Sequence, residues 1–233
     1  MFLKDVAKTV IDLFPEEMAA GFLAAKHRLW WRTKGSKLHL AYAQDYKTRS
    51  AIVSAVKEVL HRVGRDRARI IEFGCSGGNN LRLMREILPW PVSYLGLDFQ
   101  PDAIAYARQQ YPEDVFHVCD DLGLPDLVPR LGHFDVFIAS AVLYYIPLDR
   151  AQTVLRCAAC LADYVVVCDD LSRFHLASGR NDGLFLHPYA ALCRKAGLEI
   201  VVSPERPEDP GNRHGYFVAR SAGRFNEDGV CGD

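Results

Sequence analysis

The spacing of hydrophobic residues along this chain changes near residue 67. In residues 3–14 apolar side chains recur every three or four positions, and the same spacing returns after Pro15 and between residues 40 and 63. This period puts apolar residues on one face of a helix, so the first third predicts amphipathic helices. Pro15, followed by two glutamates, marks the start of the second helix.

From residue 67 onward, short apolar runs alternate with helical patterns. The runs are continuous rather than interrupted by polar residues, which is typical of strands buried on both faces of a mostly parallel sheet. The predicted strands are 69–73, 92–97, 115–118, 134–139, 164–168, 198–202 and 215–219. The predicted helices are 79–88, 101–110, 150–162 and 188–196. No helical pattern separates the last two runs, so we expect an antiparallel pair at the sheet edge.

This alternation predicts an α/β fold with a doubly wound, mostly parallel sheet of seven strands. Three regions follow from the pattern. Residues 1–66 form a helical lid or substrate region, residues 67–220 form the core, and residues 221–233 form a polar tail.

Composition and charge limit the classes of partner. The chain has 233 residues and a formal net charge of −1, so we expect no nucleic-acid or anionic-membrane surface. Charged residues interrupt the first apolar positions, and no apolar run approaches the ~18–20 residues of a membrane span. We expect a small-molecule substrate, no secretory signal and no membrane span, and the sequence leaves a homodimer open.

The cysteines indicate a reducing compartment. There are seven of them, an odd set for a disulfide framework, and several lie in apolar runs, as Cys168 does. We therefore expect a cytoplasmic location. Cys157 and Cys160 form a C-x-x-C pair, but no second ligand pair follows at a metal-site spacing. The pair is interpreted as two small side chains buried by a helix.

A glycine-rich turn follows the first predicted strand. The sequence E-F-G-C-S-G-G-N-N runs from Glu72 to Asn80. A dinucleotide fingerprint counted from Gly74 needs glycines where Ser76 and Asn79 stand, and no Gly-Lys-Ser/Thr follows for a phosphate loop. The turn is open to a ligand but poorly suited to a pyrophosphate.

Acidic residues follow the next two predicted strands. Asp98 ends the L-G-L-D run, where a carboxylate can accept hydrogen bonds from a ribose diol. Asp120 and Asp121 follow F-H-V-C, where a carboxylate can accept from the exocyclic amine of an adenine. The alternatives are a helix-capping role for Asp98 and a solvated acidic loop at 120–121. Together with the glycine turn, the acids favour a nucleoside site.

The fourth strand pattern, F-D-V-F-I-A-S-A-V-L-Y-Y-I, begins at Phe134 and has an aromatic pair just before its last residue. In this order, E-F-G-C-S-G-G, L-D-F, C-D-D-L and that run resemble the class I S-adenosylmethionine-dependent methyltransferases, over roughly residues 67–220. The resemblance implies the strand order 3-2-1-4-5-7-6 with an antiparallel last strand. It also implies S-adenosylmethionine as cofactor, S-adenosylhomocysteine as product, and a turn that holds the phosphate-free methionine part.

The resemblance also implies roles for particular residues. Those implied to bind the cofactor are Glu72, Gly74, Cys75, Ser76, Gly77, Asp98, Phe99, Asp120, Asp121, Leu122 and Ser140. Among them, Asp98 would bind the ribose hydroxyls and Ser140 would lie near the sulfonium. Tyr144 and Tyr145 would stand at the mouth of the substrate pocket. Ser76 departs from the glycine that the family often has there, which leaves the backbone path open.

Methyl transfer from a sulfonium is an in-line displacement that depends mainly on alignment, and a general base is needed mainly for a protonated acceptor. The candidate catalytic residues are Tyr145, Asp169, His175 and His187. Asp169 and Asp170, the acids after the fifth strand, resemble the metal site of catechol-type O-methyltransferases. However, Ser140 stands where that subgroup supplies an acid, so we expect no metal.

Substrate is expected to contact parts outside the common core. The N-terminal helices supply Trp30, Trp31, Tyr42, Tyr46 and Arg49 as a lid, with helix packing as the alternative for the tryptophans. The loop 171–185 would close the other side, and its Arg173 and Arg180 would suit an anionic substrate.

The leading hypothesis is a methyltransferase acting on a small molecule through oxygen, nitrogen or carbon. A nicotinamide-dependent oxidoreductase is an alternative, opposed by the missing glycines at 76 and 79. A non-catalytic binding module with the same fold is the other alternative, opposed by the retained turn and Asp98.

Overall fold

The computed structural model describes residues 16–33, 47–64, 66–171, 179–181, 184–204 and 214–222. Several sequence predictions fall outside these residues: the helix at 3–14, Tyr42, Tyr46, Arg173, His175 and the tail at 223–233. For Arg49 and Arg180 the structure describes the backbone alone.

The described residues alternate between helices and strands from residue 68 onward. The helices are α1 (Glu16–Thr33), α2 (Lys47–Val63), α3 (Asn79–Ile87), α4 (Pro101–Gln110), α5 (Leu124–Leu127), α6 (Leu148–Leu161) and α7 (Tyr189–Lys195). The strands are β1 (Ala68–Phe73), β2 (Val92–Asp98), β3 (Val115–Val118), β4 (Phe134–Ser140), β5 (Ala162–Asp170), β6 (Gly179–Asn181), β7 (Leu184–Leu186), β8 (Leu198–Val202) and β9 (His214–Ser221). Single 3₁₀ turns lie at Val128–Arg130 and Leu143–Tyr145.

The main sheet has seven strands in the order β3-β2-β1-β4-β5-β9-β8. Strands β1 to β5 pair in parallel, while β9 runs antiparallel to both β5 and β8. Because β6 and β7 lie outside this sheet, its order in sequence terms is 3-2-1-4-5-7-6. The predicted fold class is confirmed, including the antiparallel pair at the sheet edge.

One prediction about the chain after β5 was wrong. Residues 171–185 were expected to form a loop, but β6 and β7 pair as an antiparallel hairpin, with Asn181 opposite Leu184. The two strands are only three residues long, too short for an apolar pattern to reveal. The available signal was the Asp182–Gly183 dipeptide, a common hairpin turn sequence.

The sheet is buried on both faces, which explains the continuous apolar runs. On one side, Ile70 and Ile138 pack with α2, α3 and α4 in one hydrophobic cluster. On the other side, Ile71 and Phe137 pack with α6 and α7 in a second cluster. Successive strand residues point to opposite faces, so both must be apolar. Helix α2 lies in the region predicted as a lid, residues 1–66, but it packs in the core. Among the described helices, the lid hypothesis therefore applies to α1.

Parallel pairing puts the functional sequence motifs at one edge of the sheet. Phe73, the last residue of β1, is opposite Leu97 of β2 and Ala139 of β4. The N–H groups of Gly74 and Cys75 then donate to the Leu97 carbonyl at 2.7 and 3.0 Å. The glycine turn is therefore fixed directly beside the end of β2, where Asp98 lies.

The Cys157-x-x-Cys160 sequence does not form an internal pair. Cys157 is a buried free thiol whose pKa is raised to about 11 by burial. Cys160 is half-buried and disulfide-bonded, so the interpretation of both residues as buried small side chains was wrong for Cys160. No helix in the described part of the chain is long and apolar enough to cross a membrane.

We predict that Gly96→Ala destabilises the fold. A Cβ at this position of β2 would lie 2.6 Å from Cδ1 of Phe116 and 2.8 Å from Sγ of Cys75, both buried side chains. Overpacking of this kind costs about 1–3 kcal/mol. Thermal and urea unfolding will measure the loss.

The matched control is Gly21→Ala on the exposed face of α1, where a Cβ would meet nothing within 4 Å. Alanine has the higher helix propensity by ~1 kcal/mol, so this variant should be neutral or slightly more stable. A Gly96→Ala protein as stable as the wild type would contradict the tight packing of β2 on β3.

Candidate active site

A cavity of about 400 Å³ lies at the edge of the sheet where β1, β2 and β4 end. This volume is in the range of small-molecule pockets, ~300–1,000 Å³. Twelve of the residues predicted from the sequence line it: Trp31, Glu72, Gly74, Cys75, Ser76, Asp98, Phe99, Asp120, Asp121, Ser140, Tyr144 and Tyr145. The parallel sheet thus brings together motifs, from Glu72 to Tyr145, that are far apart in the sequence.

Some predicted residues do not line this cavity. Gly77 belongs to the turn but not to the wall, and Leu122 is 57% exposed beside the acid pair. Trp30 is 43% exposed and packs edge-on against Trp31, with ring centroids 4.9 Å apart. Of the two tryptophans, Trp31 therefore faces the cavity.

The glycine turn follows a left-handed path at three positions. Gly74 and Gly78 both have φ of +80°, and Ser76 has φ of +51°. A Cβ on Gly74 would lie 2.8 Å from the Val142 side chain, so this position is closed to larger residues. The path at Ser76, left open by the sequence, brings its N–H within 2.9 Å of Asp98 Oδ2.

Asp98 is held by the backbone on both sides. Its Oδ2 accepts from the Ser76 N–H and its Oδ1 accepts from the Gln100 N–H, each at 2.9 Å. The side chain is only 7% exposed, yet it lines the cavity. A carboxylate has about four lone-pair sites, so it can accept more hydrogen bonds than these two. This arrangement can accept hydrogen bonds from a pair of neighbouring hydroxyl groups.

Glu72 lies below the turn with both oxygens engaged. Its Oε1 accepts from the Asn80 amide at 2.6 Å, and its Oε2 accepts from the Tyr94 hydroxyl. Burial, followed by the Glu72 charge, raises the pKa of Tyr94 well above its usual range. Glu72 therefore connects β1, β2 and α3 beneath the cavity floor.

Two arginines, which sequence reasoning missed, neutralise the acid pair after β3. Arg28 of α1 reaches Asp120 Oδ2 at 3.1 Å and Asp121 Oδ1 at 2.6 Å. Arg150 of α6 donates to the other oxygen of Asp121. All four side chains line the cavity. In the sequence, Arg28 stands out only as part of the basic run Lys26–His27–Arg28, and Arg150 does not stand out at all. Both arginines pair with residues far away in the sequence, so no local pattern predicts these contacts.

Helix α1 is attached to the cavity by a second polar contact. The Gln100 side-chain amide donates to the Trp31 carbonyl. Next to it, the Trp31 ring meets the Tyr145 ring edge-on, with centroids 5.7 Å apart. His27, also missed by sequence reasoning, lines the cavity and meets Tyr145 edge-on at 5.2 Å. The part of α1 near residues 27–31 therefore forms one wall of the cavity.

Asp169 and His187, two predicted catalytic residues, do not line the cavity. The Tyr144 N–H donates to Asp169 Oδ2 at 3.1 Å, and His187 Nε2 donates to the Leu143 carbonyl at 2.9 Å. Burial lowers the pKa of His187 despite this bond. Both side chains support the Leu143–Tyr145 turn from behind. Their position favours a structural role over catalysis, whereas Tyr145 does face the cavity.

The pKa of Asp169 is raised to about 7, chiefly by complete burial. Hydrogen bonds from the Tyr189 hydroxyl and from two backbone N–H groups oppose the rise but do not cancel it. Within the described residues, no group of three or more His, Cys, Asp or Glu side chains is placed to hold a metal ion.

Comparisons with known proteins agree with this geometry. Residues 71–167 match the family model described as a methyltransferase domain. These residues contain the glycine turn, Asp98, the acid pair and the Ser140 strand end. The resemblance to the class I S-adenosylmethionine-dependent methyltransferases, drawn above from the sequence motifs, is confirmed.

Two curated relatives are trans-aconitate 2-methyltransferases. That of Methylobacterium nodulans is 34% identical over 100 residues, which is 41% of this chain and 37% of that protein. That of Variovorax paradoxus is 30% identical over 120 residues, which is 51% of this chain and 42% of that protein. The chain thus matches about two fifths of the length of these relatives.

Solved structures share the fold at low identity. A magnesium protoporphyrin IX methyltransferase from Synechocystis, solved with S-adenosylhomocysteine, has a TM-score of 0.63 at 16% identity, covering 86% of this chain and 100% of that one. A methyltransferase from Corynebacterium glutamicum has a TM-score of 0.55 at 18% identity, covering 85% and 97%. At this low identity, the similarity to these structures shows a shared fold.

We predict that Asp169 makes stability fall as pH rises. Its pKa is about 7 in the folded protein, against ~3.9 in an unfolded chain, so the folded state binds the extra proton between these values. The contribution of Asp169 to the free energy of unfolding is complete below pH ~4 and is lost as pH rises to about 7. The free energy of unfolding, measured by urea titration from pH 4 to 8, will show this decline.

Asp169→Asn removes the titrating group and should flatten this part of the profile. Asp66→Asn is the matched control, because its carboxylate is 94% exposed and its loss should leave the profile unchanged. Identical slopes in the wild type and in Asp169→Asn would show that the buried carboxyl does not take up a proton.

Proposed function

We propose that this protein is an S-adenosylmethionine-dependent methyltransferase that moves a methyl group to a small molecule. The observation that carries the proposal is the Asp98 carboxylate, fixed by two backbone N–H groups and turned toward the cavity. A neighbouring diol is the ligand chemistry that this carboxylate suits. The matched family and the glycine turn support the same ligand.

The residues of the cavity wall support this cofactor part by part. Asp98 would accept from the ribose hydroxyls, and Phe99, in the same wall, would flank the adenine. Gly74 lines the cavity and has no side chain, so a ligand there would meet its backbone at the start of the turn. Asp120 would meet the adenine edge, although Arg28 already engages its Oδ2. The methionine part would then extend toward Ser140.

The protein would act mainly by positioning. The transferable methyl group is supplied by the cofactor, and the chain's own residues align the acceptor with it and exclude water. Such alignment can contribute ~7–11 kcal/mol. The Leu143–Tyr145 turn, held from behind by Asp169 and His187, would present Tyr145 to the acceptor. Trp31 and His27 on α1 would cover the cavity from the side opposite the Leu143–Tyr145 turn. In this arrangement α1 acts as the lid predicted from the sequence.

The acceptor is proposed to be a small molecule because the cavity, about 400 Å³, is enclosed by α1 and the sheet edge. The curated relatives act on trans-aconitate, an anion. Here both arginines of the described cavity wall are paired with Asp120 or Asp121. The anionic substrate that Arg180 suggested in the sequence therefore has no support from the described side chains. The cytoplasmic location and the homodimer remain predictions.

Calorimetry tests the proposed cofactor. We expect binding of S-adenosylmethionine and S-adenosylhomocysteine at micromolar concentration and no binding of NAD. Tight NAD binding without a response to either sulfur compound would support the oxidoreductase alternative instead. Binding of both sulfur compounds without methyl transfer to any acceptor would support the binding-module alternative.

We predict that Asp98→Asn weakens S-adenosylhomocysteine binding by about 10- to 100-fold, because a hydrogen bond to a charged group contributes ~1.5–3 kcal/mol. Asp102→Asn, on the exposed first turn of α4, is the matched control and should leave the affinity unchanged. Thermal unfolding of both variants will separate lost binding from lost folding. An unchanged affinity in Asp98→Asn would refute the ribose assignment.

A further inference from the structure

The order of the strands divides the cavity into two halves. Asp98 ends β2 and the acid pair follows β3, whereas Ser140 ends β4, on the other side of β1. Neighbouring strands lie ~4.8 Å apart, so three spacings, ~14 Å, separate β3 from β4. We call the side lined by Asp98 and the acid pair the nucleoside half. The acceptor half is lined by residues of the segment 140–146 together with His27 and Trp31 of α1.

The two halves differ in charge. The acids and arginines of the described wall lie in the nucleoside half or bond to it; they are Arg28, Glu72, Asp98, Asp120, Asp121 and Arg150. The described lining of the acceptor half contains no acid, lysine or arginine. Burial lowers the pKa of His27, so its neutral ring predominates at pH 7. A charged acceptor would therefore lose its hydration there without gaining a partner of opposite charge.

Aromatic rings form much of the acceptor half. The Tyr145 ring contacts three other rings of the wall, with centroids 4.5 Å away for Tyr144, 5.2 Å for His27 and 5.7 Å for Trp31. Two of these four rings come from α1, and two come from the turn after β4. The surface that a bound acceptor meets is thus composed largely of π systems, which carry a negative face and a positive edge.

Trp31 and Tyr145 form a corner with an angle of 81° between their ring planes. A planar ligand in this corner can stack on one ring while its edge meets the other. These are the two arrangements that aromatic pairs prefer. A saturated ring of similar size has no π system, so it gains only from the burial of its apolar surface. The corner therefore favours an aromatic ligand over an aliphatic one.

Both side chains of the corner can be reached by a ligand. Trp31 and Tyr145 line the cavity and are half-buried, whereas Tyr144 is only 8% exposed. The main chain of Trp31 is held separately, because its carbonyl accepts from the Gln100 amide. The indole ring can therefore be replaced without removing this polar attachment of α1.

We propose that the methyl acceptor of this enzyme is an uncharged aromatic molecule whose ring lies in the corner between Trp31 and Tyr145. This inference rests on the proposed methyltransferase function and adds the chemical class of the acceptor to it. Trp31 and Tyr145 then determine specificity, because they select a planar ring. The uncharged lining of the acceptor half disfavours a carboxylate acceptor such as trans-aconitate.

Binding of three model compounds tests this class without measuring methyl transfer. The full chain, saturated with S-adenosylhomocysteine, is titrated calorimetrically with 2-naphthol, decahydro-2-naphthol and trans-aconitate. The first two share a carbon skeleton and a hydroxyl group, but only 2-naphthol is aromatic. We expect 2-naphthol to bind about 2- to 10-fold more tightly than its saturated counterpart, and trans-aconitate not to bind. Equal or weaker binding of 2-naphthol, or tighter binding of trans-aconitate, would overturn the proposal.

Variants locate the preference in the corner. Trp31→Leu removes one ring and keeps an apolar side chain, so the preference for 2-naphthol should disappear. Affinity for decahydro-2-naphthol and S-adenosylhomocysteine should stay within about twofold, since neither depends on the π system. Tyr145→Leu, which removes the other ring, should have the same effect and serves if Trp31→Leu is unstable. Phe22→Leu is the matched control on α1, because Phe22 is 62% exposed and lies outside the cavity wall.

The outcomes separate this inference from the function beneath it. Absence of S-adenosylmethionine and S-adenosylhomocysteine binding in the wild type would refute the proposed function itself. Normal binding of both compounds, with the preference for 2-naphthol unchanged in Trp31→Leu and Tyr145→Leu, would refute the corner. Thermal unfolding of the same variants completes the comparison. A lower unfolding temperature with an unchanged preference would show that the two rings only pack α1 against the turn after β4.

Discussion

The architecture of the site depends on one carboxylate accepting two backbone hydrogen bonds. Asp98 receives the N–H of Ser76 from the turn after β1 and the N–H of Gln100 from the start of α4. It therefore joins two βα units that are otherwise connected through the sheet. Because the contacts are to the backbone, they fix the path of the turn whatever side chains it carries. Ser76 can hold a left-handed conformation in that setting.

The sequence was informative where a local pattern has a single physical cause. Seven apolar runs predicted the sheet because strands buried on both faces must be apolar throughout. The turn and Asp98 were predicted to form one site because ligands bind at the carboxyl ends of parallel strands, and the family resemblance added Ser140. Twelve of the predicted residues do line the cavity, and the bounds of β3 and α4 agree with the prediction residue by residue.

What the sequence missed depends on distant partners. Arg28 lies 93 positions from Asp121, and nothing around either residue predicts their contact. Asp169 and His187 are candidate bases from the sequence because they are titratable residues at the end of the fifth strand or beyond it. Their hydrogen bonds to the Leu143–Tyr145 turn appear only when β5, β7 and that turn pack together. His27 gave no signal of its own because it lies between two basic residues, Lys26 and Arg28.

The arginine–carboxylate cluster has a further consequence for how the cavity exchanges its contents. Arg28 and Arg150 are 28% and 22% exposed, so the ions of the medium partly screen their attraction to Asp120 and Asp121. The contact of α1 with the acid pair is therefore weaker in concentrated salt and stronger in dilute solution. Any movement of α1 away from the acid pair must therefore work against an attraction that depends on ionic strength.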